Sequence, residues 1–300
     1  MRTNKYLLTT LVYFTVFIGI ISVPSSVGAF EKGQEPDSAM CLGCHGMAGF
    51  AMPGGDGAMR QLHVSKDAFQ KSVHSQRACI ECHKDIQQIP HRTNVDRKVG
   101  CVECHQTRWE VAQKEGKTEE FKRLGVVVSQ IDKYMESIHA RPNMEDQSRT
   151  NATCYDCHDA HYIFPEESAE RLESRLTIPN KYGKCHAEQR DAYFTSVHGK
   201  EVAQNGNLNA AVCTDCHTTH DIDSPKQDSI RLAITNNCGN CHEKNLKTYM
   251  GTYHGQVNSL GYAHTAKCFD CHGSHQIQSV DDPASTVHTD NRLETCQQCH

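Results

Sequence analysis

The sequence predicts a mainly α-helical chain with extensive coil, organised as tandem units and not around one large side-chain core. Three observations predict this. Strand signals are weak, while helical spacing of apolar residues surfaces in short, charged stretches. Leu, Ile, Val and Phe number 43 among residues 30–300, too few for side chains alone to build an ordinary core. The pattern Cys-x-x-Cys-His recurs eight times in 300 residues.

The eight copies are Cys41-Leu-Gly-Cys44-His45, Cys79-Ile-Glu-Cys82-His83, Cys101-Val-Glu-Cys104-His105 and Cys154-Tyr-Asp-Cys157-His158 in the first half, then Cys213-Thr-Asp-Cys216-His217, Cys238-Gly-Asn-Cys241-His242, Cys268-Phe-Asp-Cys271-His272 and Cys296-Gln-Gln-Cys299-His300. They use 16 of the 17 cysteines. The remaining thiol lies in Tyr182-Gly-Lys-Cys185-His186, which lacks only the first cysteine of the pattern. Structural zinc sites and disulfides also use paired cysteines, but neither accounts for a histidine after every pair. Covalent haem attachment does: two thiols add across the vinyl groups of one porphyrin, and the adjacent imidazole reaches the iron as proximal ligand. The expected cofactor is haem c, eight held through two thioethers and a ninth held through one at Cys185. Such a chain is expected to be packed on its haems, which supply the missing apolar surface.

Arg2 and Lys5 precede an apolar run from Tyr6 to Val23, and Pro24-Ser-Ser-Val27-Gly-Ala29 offers small residues where a signal peptidase reads. Cleavage is expected after Ala29, with an uncleaved membrane anchor as the alternative; either way the motifs are exported, to the periplasm or beyond. The formal net charge of −5 becomes −7 without Arg2 and Lys5, which argues against a nucleic-acid partner.

Aligning the motifs divides the chain further. Tyr182, Gly183, Cys185-His186, Tyr193, His198-Gly199, Cys213 to His217 and His220 recur as Cys238, Gly239, Cys241-His242, Tyr249, His254-Gly255, Cys268 to His272 and His275, at an offset of 55 or 56 residues. Tyr182 therefore stands where Cys238 stands. The predicted organisation is a leader over 1–29, two-haem units over 30–95, 96–165, 166–225 and 226–280, and the start of a fifth over 281–300. Residues 108–124 and 166–176 read as charged helical insertions, the second bounded by Pro165 and Pro179. Gly125 to His139 has the spacing of a helix that delivers His139 at its end.

Nine of the 20 histidines are proximal candidates, leaving eleven. His74, His139, His198 and His254 recur at one place in the units, and His161, His220 and His275 at another. All seven are candidate distal ligands. The last three follow a proximal histidine by three residues and cannot reach round to the far face of the same porphyrin, so they are expected to serve neighbouring haems. His91 plays this part less regularly, His288 is a candidate sixth ligand near the last motif, and His63 is available to the first. Met40, Met47, Met52 and Met59 make the first site the expected exception to His/His ligation.

On the Cys-x-x-Cys-His motifs, the Ser-x-His-Gly pattern at His198 and the Cys-x-Asp-Cys-His-x-x-His patterns over Cys213 to His220 and Cys268 to His275, the chain resembles the multihaem c-type cytochromes of anaerobic respiring bacteria. The resemblance implies bis-histidine electron transfer between a membrane quinol-oxidising cytochrome or b-type domain and other c-type cytochromes, a terminal reductase or an extracellular acceptor. Several members of that family continue into a membrane-embedded b-type domain, whereas this sequence stops at His300, so a longer parent chain is expected, with a last haem exposed as an electron port as the alternative. Two alternatives stand beside the conduit. One is a reductase of nitrite, hydroxylamine or a sulfur oxyanion at one open haem, expected at the Tyr182 site or the last motif; no Cys-x-x-Cys-Lys occurs. The other is a subunit of a cytochrome filament.

Overall fold

The computed structural model describes residues 37–54, 57–86, 88–91, 99–141 and 151–300. The predicted leader lies outside them, and no described helix is long and apolar enough to cross a membrane. The described chain is mainly α-helical, as expected from its composition. Most helices are short, from four residues at Cys79–Cys82 to 15 at Lys122–Glu136. The strands form one antiparallel hairpin, Ala51–Pro53 against Met59–Gln61, with Met52 opposite Arg60.

Helices are short because the sequence interrupts them at each motif. Five motifs open a helix, and in four of them the middle acid caps it: the backbone N–H groups of Ala78, Thr153, Val212 and Lys267 donate to Glu81, Asp156, Asp215 and Asp270 at 2.8, 2.6, 2.7 and 2.9 Å. A carboxylate at the third helical position satisfies donors that the first turn leaves free and complements the helix dipole. Arg175 and Arg231 then pair with Asp215 and Asp270 at 2.5 and 3.2 Å. Cys238 and Cys296 instead lie near the ends of helices Asp228–Gly239 and Arg292–Gln297, and Tyr182 ends helix Ile178–Tyr182.

The Ser-x-His-Gly segments are built by a second break. Ser196 takes an extended conformation between helices Ala187–Thr195 and Val197–Asn205, and its hydroxyl accepts from Gly199 N–H at 3.0 Å. Thr252 does the same for Gly255 at 3.2 Å. Glycine is required there: a Cβ at Gly199 or Gly255 would collide with the carbonyl oxygen of Tyr193 or Tyr249. The hydroxyls of Tyr134, Tyr193 and Tyr249 donate to the carbonyls of Ala152, Ala211 and Ala266 at 2.8, 2.8 and 2.9 Å, tying each such helix to the loop before the next motif.

Two helix expectations change in detail. The segment read as one helix over 166–176 is helix Ala169–Ser174 followed by a 3-10 turn at Arg175–Thr177, and the chain continues as helix Ile178–Tyr182 through Pro179. Proline is tolerated there because it sits in the first turn, where its missing N–H has no intrahelical partner. The stretch 108–124 is divided between helices Cys101–Lys114 and Lys122–Glu136, the latter leading into His139 as expected.

Fully buried apolar side chains among the described residues are Ala112, Tyr193, Val202, Ala210, Val212 and Ala263. Only Tyr193, Val202, Ala210 and Val212 form a cluster, with Leu176, Ile178 and Phe194 against it. That is far less than a chain of this length ordinarily buries.

Thr218 offers a stability prediction. It follows His217 with φ of +65°, where its counterpart after His272 is Gly273 with φ of +78°. A left-handed non-glycine residue carries a penalty of about 1 kcal/mol. Thr218→Gly should therefore raise the thermal midpoint by a few degrees in differential scanning calorimetry, with no change in visible spectrum.

Candidate cofactor-binding site

Each motif presents its side chains through the same backbone turn. The N–H of the motif histidine donates to the carbonyl four residues back: His83 to Cys79 at 2.9 Å, His158 to Cys154 at 2.8 Å, His242 to Cys238 at 2.9 Å and His300 to Cys296 at 3.1 Å. His186 donates to Tyr182 in the same way at 2.9 Å. None of the seventeen cysteines, all among the described residues, is paired in a disulfide, and among the described residues no three His, Cys, Asp or Glu side chains converge on a point that would hold a metal ion. Preformed zinc sites of the Cys/His kind require such convergence.

The histidine rings are paired. His45 faces His91 at a centroid separation of 5.9 Å, His74 faces His105 at 6.1 Å, His83 faces His161 at 6.1 Å and His139 faces His186 at 6.3 Å. His158 faces His220 at 6.0 Å, His198 faces His242 at 6.1 Å, His217 faces His275 at 6.0 Å and His254 faces His300 at 5.7 Å. Every one of these pairs joins a motif histidine to a histidine outside the motifs. Two imidazoles bound through nitrogen to opposite sides of one metal ion, each about 2.0 Å away, hold their centroids about 6.3 Å apart. The donor set and its spacing therefore fit a haem iron between each pair, and each motif carries its cysteines next to its histidine in sequence.

The pairs also follow an order. His74, His139, His198 and His254 each face the first motif histidine of the following sequence unit. His161, His220 and His275 each face the second motif histidine of the preceding one, and none faces the histidine three residues before it. His91 alone faces a histidine of its own unit, His45. Backbone bonds accompany the crossings: Val73, Ile138 and Val197 N–H donate to the carbonyls of Ile163, Ile222 and Ile277 at 2.8, 2.9 and 2.9 Å.

Neighbouring motifs lie near one another in sequence order. The Cys41 thiol is pushed up to about 11 by burial and then by Cys79, and Cys82 is raised by burial and then by Cys104. Cys154 is raised by burial and Cys101, and Cys157 by burial, with Asp156 and Cys185 adding to it. Tyr182 is pushed up to about 12 by burial and then by Cys157 and Cys213, the surroundings that Cys216 and Cys268 give Cys238. Cys216 is pushed up to about 11 by burial, with Asp215, Cys213 and Cys241 contributing. Cys238 and Cys268 share a hydrogen bond that lowers the first and raises the second, and Cys271 is raised by burial, then Asp270 and Cys296. The nine motifs thus form one continuous series.

Several rings are held by their outer nitrogen. His45 Nδ1 lies 2.8 Å from the Leu62 carbonyl, His74 Nδ1 lies 3.4 Å from that of Ala160, and His220 Nδ1 lies 3.0 Å from Gln130 Oε1. Such bonds fix the tautomer and leave the other nitrogen free for a metal. No sequence signal marks Gln130, Leu62 or Ala160 for this part. An acid at the third motif position in five copies, Glu81, Glu103, Asp156, Asp215 and Asp270, is the sequence signal for the caps, four of which form.

Burial keeps the imidazoles neutral, the form that ligates. His83, His105, His139, His161, His198, His217, His220, His272 and His275 are all lowered, chiefly by burial. His158 is pushed down from 6.5 to about 4 by burial and then by His220. Because burial disfavours the protonated His158 ring, stability present above about pH 6.5 is lost as pH falls towards 4. Urea unfolding midpoints of the haem-loaded protein, measured at pH values stepped through that window, should decline; midpoints independent of pH would contradict the burial of His158.

Four sequence expectations change. His288 does not serve the last motif, because His300 faces His254; His288 instead accepts from Asp290 N–H at 3.3 Å. His63 does not face the first motif, where His45 meets His91 and Phe50. Met40, Met47, Met52 and Met59 are exposed, and a histidine stands opposite His45. Under the reductase alternative an unfaced motif histidine is expected at Tyr182 or in the last motif, yet His186 and His300 both have partners. The unfaced one is His272: among the described residues, which include all twenty histidines, no aromatic ring lies against it.

No family model, no curated protein and no solved structure matches the chain.

Proposed function

We propose that this chain is an exported multihaem c-type cytochrome that passes electrons along about nine covalently bound haems, between a membrane quinol-linked donor and a reductase or extracellular acceptor. The observation that carries the reading is the pairing of eight motif histidines with eight histidines outside the motifs, at 5.7 to 6.3 Å. Cys41 and Cys44, and their counterparts in the other complete motifs, would hold one haem each through two thioethers, and Cys185 would hold one alone. A haem iron bound by two imidazoles supplies one-electron exchange with no position left for substrate.

The polypeptide's own contribution is to hold, orient and align. Ser196 and Thr252 cap the turns that present His198 and His254, while Gly199 and Gly255 let the turn close on the preceding helix. Leu62, Ala160 and Gln130 direct ring nitrogens inward. Exchange of histidines between successive units keeps neighbouring sites close, which a relay requires and an isolated catalytic centre does not. The small apolar core agrees with a chain that folds on its cofactors.

Redox titration followed in the visible spectrum tests the reading: a broad, multi-step, low-potential reduction of low-spin c-type haem is expected, and a colourless protein that binds zinc would refute it.

A further inference from the structure

We propose that the buried ammonium of Lys267 is a redox-tuning charge that makes the haem at Cys268 and Cys271 easier to reduce. The inference rests on the haem reading above and goes beyond it by giving one residue a part in setting the potential of one site. Lys267 directly precedes Cys268, and its side chain is 1% exposed. In the preceding unit the same place belongs to Val212, equally buried at 2%. A buried ammonium is costly where an apolar side chain also fits, unless its donors are met. Here Nζ donates to the carbonyls of Ala263 and Thr265, the latter at 2.7 Å.

The carbonyls alone do not call for this lysine. Their counterparts in the preceding unit are those of Leu208 and Ala210, and there Arg175 supplies the cation. Its Nε donates to Leu208 and its Nη2 to Ala210, both at 3.1 Å, while the guanidinium pairs with Asp215 at 2.5 Å. Arg231 stands where Arg175 stands and pairs with Asp270 at 3.2 Å. Lys267 holds the two carbonyls instead, and among the described residues the buried Nε of Arg231 has no acceptor. One loop thus sets one cation against its motif carboxylate, and the other sets two. The Lys267 N–H donates to Asp270 at 2.9 Å, which fixes the residue at the start of the motif helix. A further carboxylate, Asp228, is exposed and lies 3.7 Å from His264, so water screens it. Buried positive charge favours the reduced iron, which carries one positive charge less than the oxidised iron. Lys267 acts through this field and touches no reacting atom.

Redox titration of the haem-loaded protein, followed in the visible spectrum, is the test. The component lost from the Cys268→Ala/Cys271→Ala variant identifies the haem. Lys267→Gln keeps an N–H donor for the carbonyls and loses the charge. It should make that haem about tenfold harder to reduce, the effect of a unit charge about 12 Å from a redox centre at an effective dielectric constant of about 20. That is a downward shift of about 59 mV for one electron, with smaller shifts elsewhere. Lys267→Met, which also loses the charge, should shift the same component by a similar amount, whereas Lys267→Arg, which keeps it, should leave the midpoint near the wild-type value. A purely structural brace would group the glutamine variant with the arginine variant and set the methionine variant apart. An unchanged midpoint in Lys267→Gln, or an equal downward shift in Lys267→Gln and Lys267→Arg, overturns the proposal. A protein that carries no haem at all overturns the earlier reading instead.

Discussion

Replacing His198 with alanine is expected to convert one haem of nine from low to high spin, because His198 stands 6.1 Å from His242 and no other histidine faces that ring. The half-buried ring leaves space that its neighbours fill only in part, and an iron bond is lost with it, so stability should fall by about 2 kcal/mol or more. His198→Met should restore low-spin character while moving that haem to higher potential, since thioether ligation favours the reduced iron. The remaining sites should keep their spectra. An unchanged spin state in His198→Ala would mean that His242 has a different partner from the one the ring pairing assigns.

The second large effect concerns folding. Chain produced without haem attachment should be largely unfolded, with weak helical circular dichroism, rapid proteolysis and no cooperative thermal transition. The reason lies in the core: Tyr193, Val202, Ala210 and Val212 form the one buried apolar cluster among the described residues, and it sits in a single region of a 300-residue chain. Ordering the rest of the backbone costs conformational entropy that so few buried side chains do not offset. Elsewhere the short helices are tied by isolated contacts such as Tyr249 to the Ala266 carbonyl and Arg231 to Asp270. Compact, protease-resistant haem-free protein would contradict this account.

Much of the site was legible in the sequence because its chemistry is written in local spacing. A thiol pair followed by histidine identifies itself within five residues, and the recurrence of His74, His139, His198 and His254 singles them out as a set. Tyr182 was readable as the stand-in for Cys238 by alignment alone, and the 2.9 Å bond from His186 N–H to its carbonyl reproduces the turn. Partner choice was only half legible. Chain geometry required His161, His220 and His275 to reach another site, but whether forward or back depends on how successive units pack. His91 reaches within its own unit, which no spacing rule foretells. The unfaced His272 was invisible for the same reason: it is defined by what a neighbouring unit brings, not by its own residues.

Short helices with little strand followed from composition, whereas the details at Pro165 to Tyr182 did not. Two prolines look like boundaries in sequence, yet Pro179 lies in a first turn and the helical path continues through it. Lys267 is a residue whose part only the structure shows. Its side chain is 1% exposed, with Nζ donating to the carbonyls of Ala263 and Thr265, the latter at 2.7 Å. A lysine beside a motif reads as surface charge, and only the loop's backbone path reveals the carbonyls that hold it.

The central claim, that nine motifs each carry a covalently bound haem, is tested most directly by the intact mass of the mature exported protein under denaturing conditions. The expected result is a polypeptide that begins at Phe30 and carries one haem group for each of the nine motifs, with Cys185 holding its haem through one thioether. A mass equal to the bare polypeptide, or an increment of eight haems with Cys185 free to react with a thiol reagent, would contradict it.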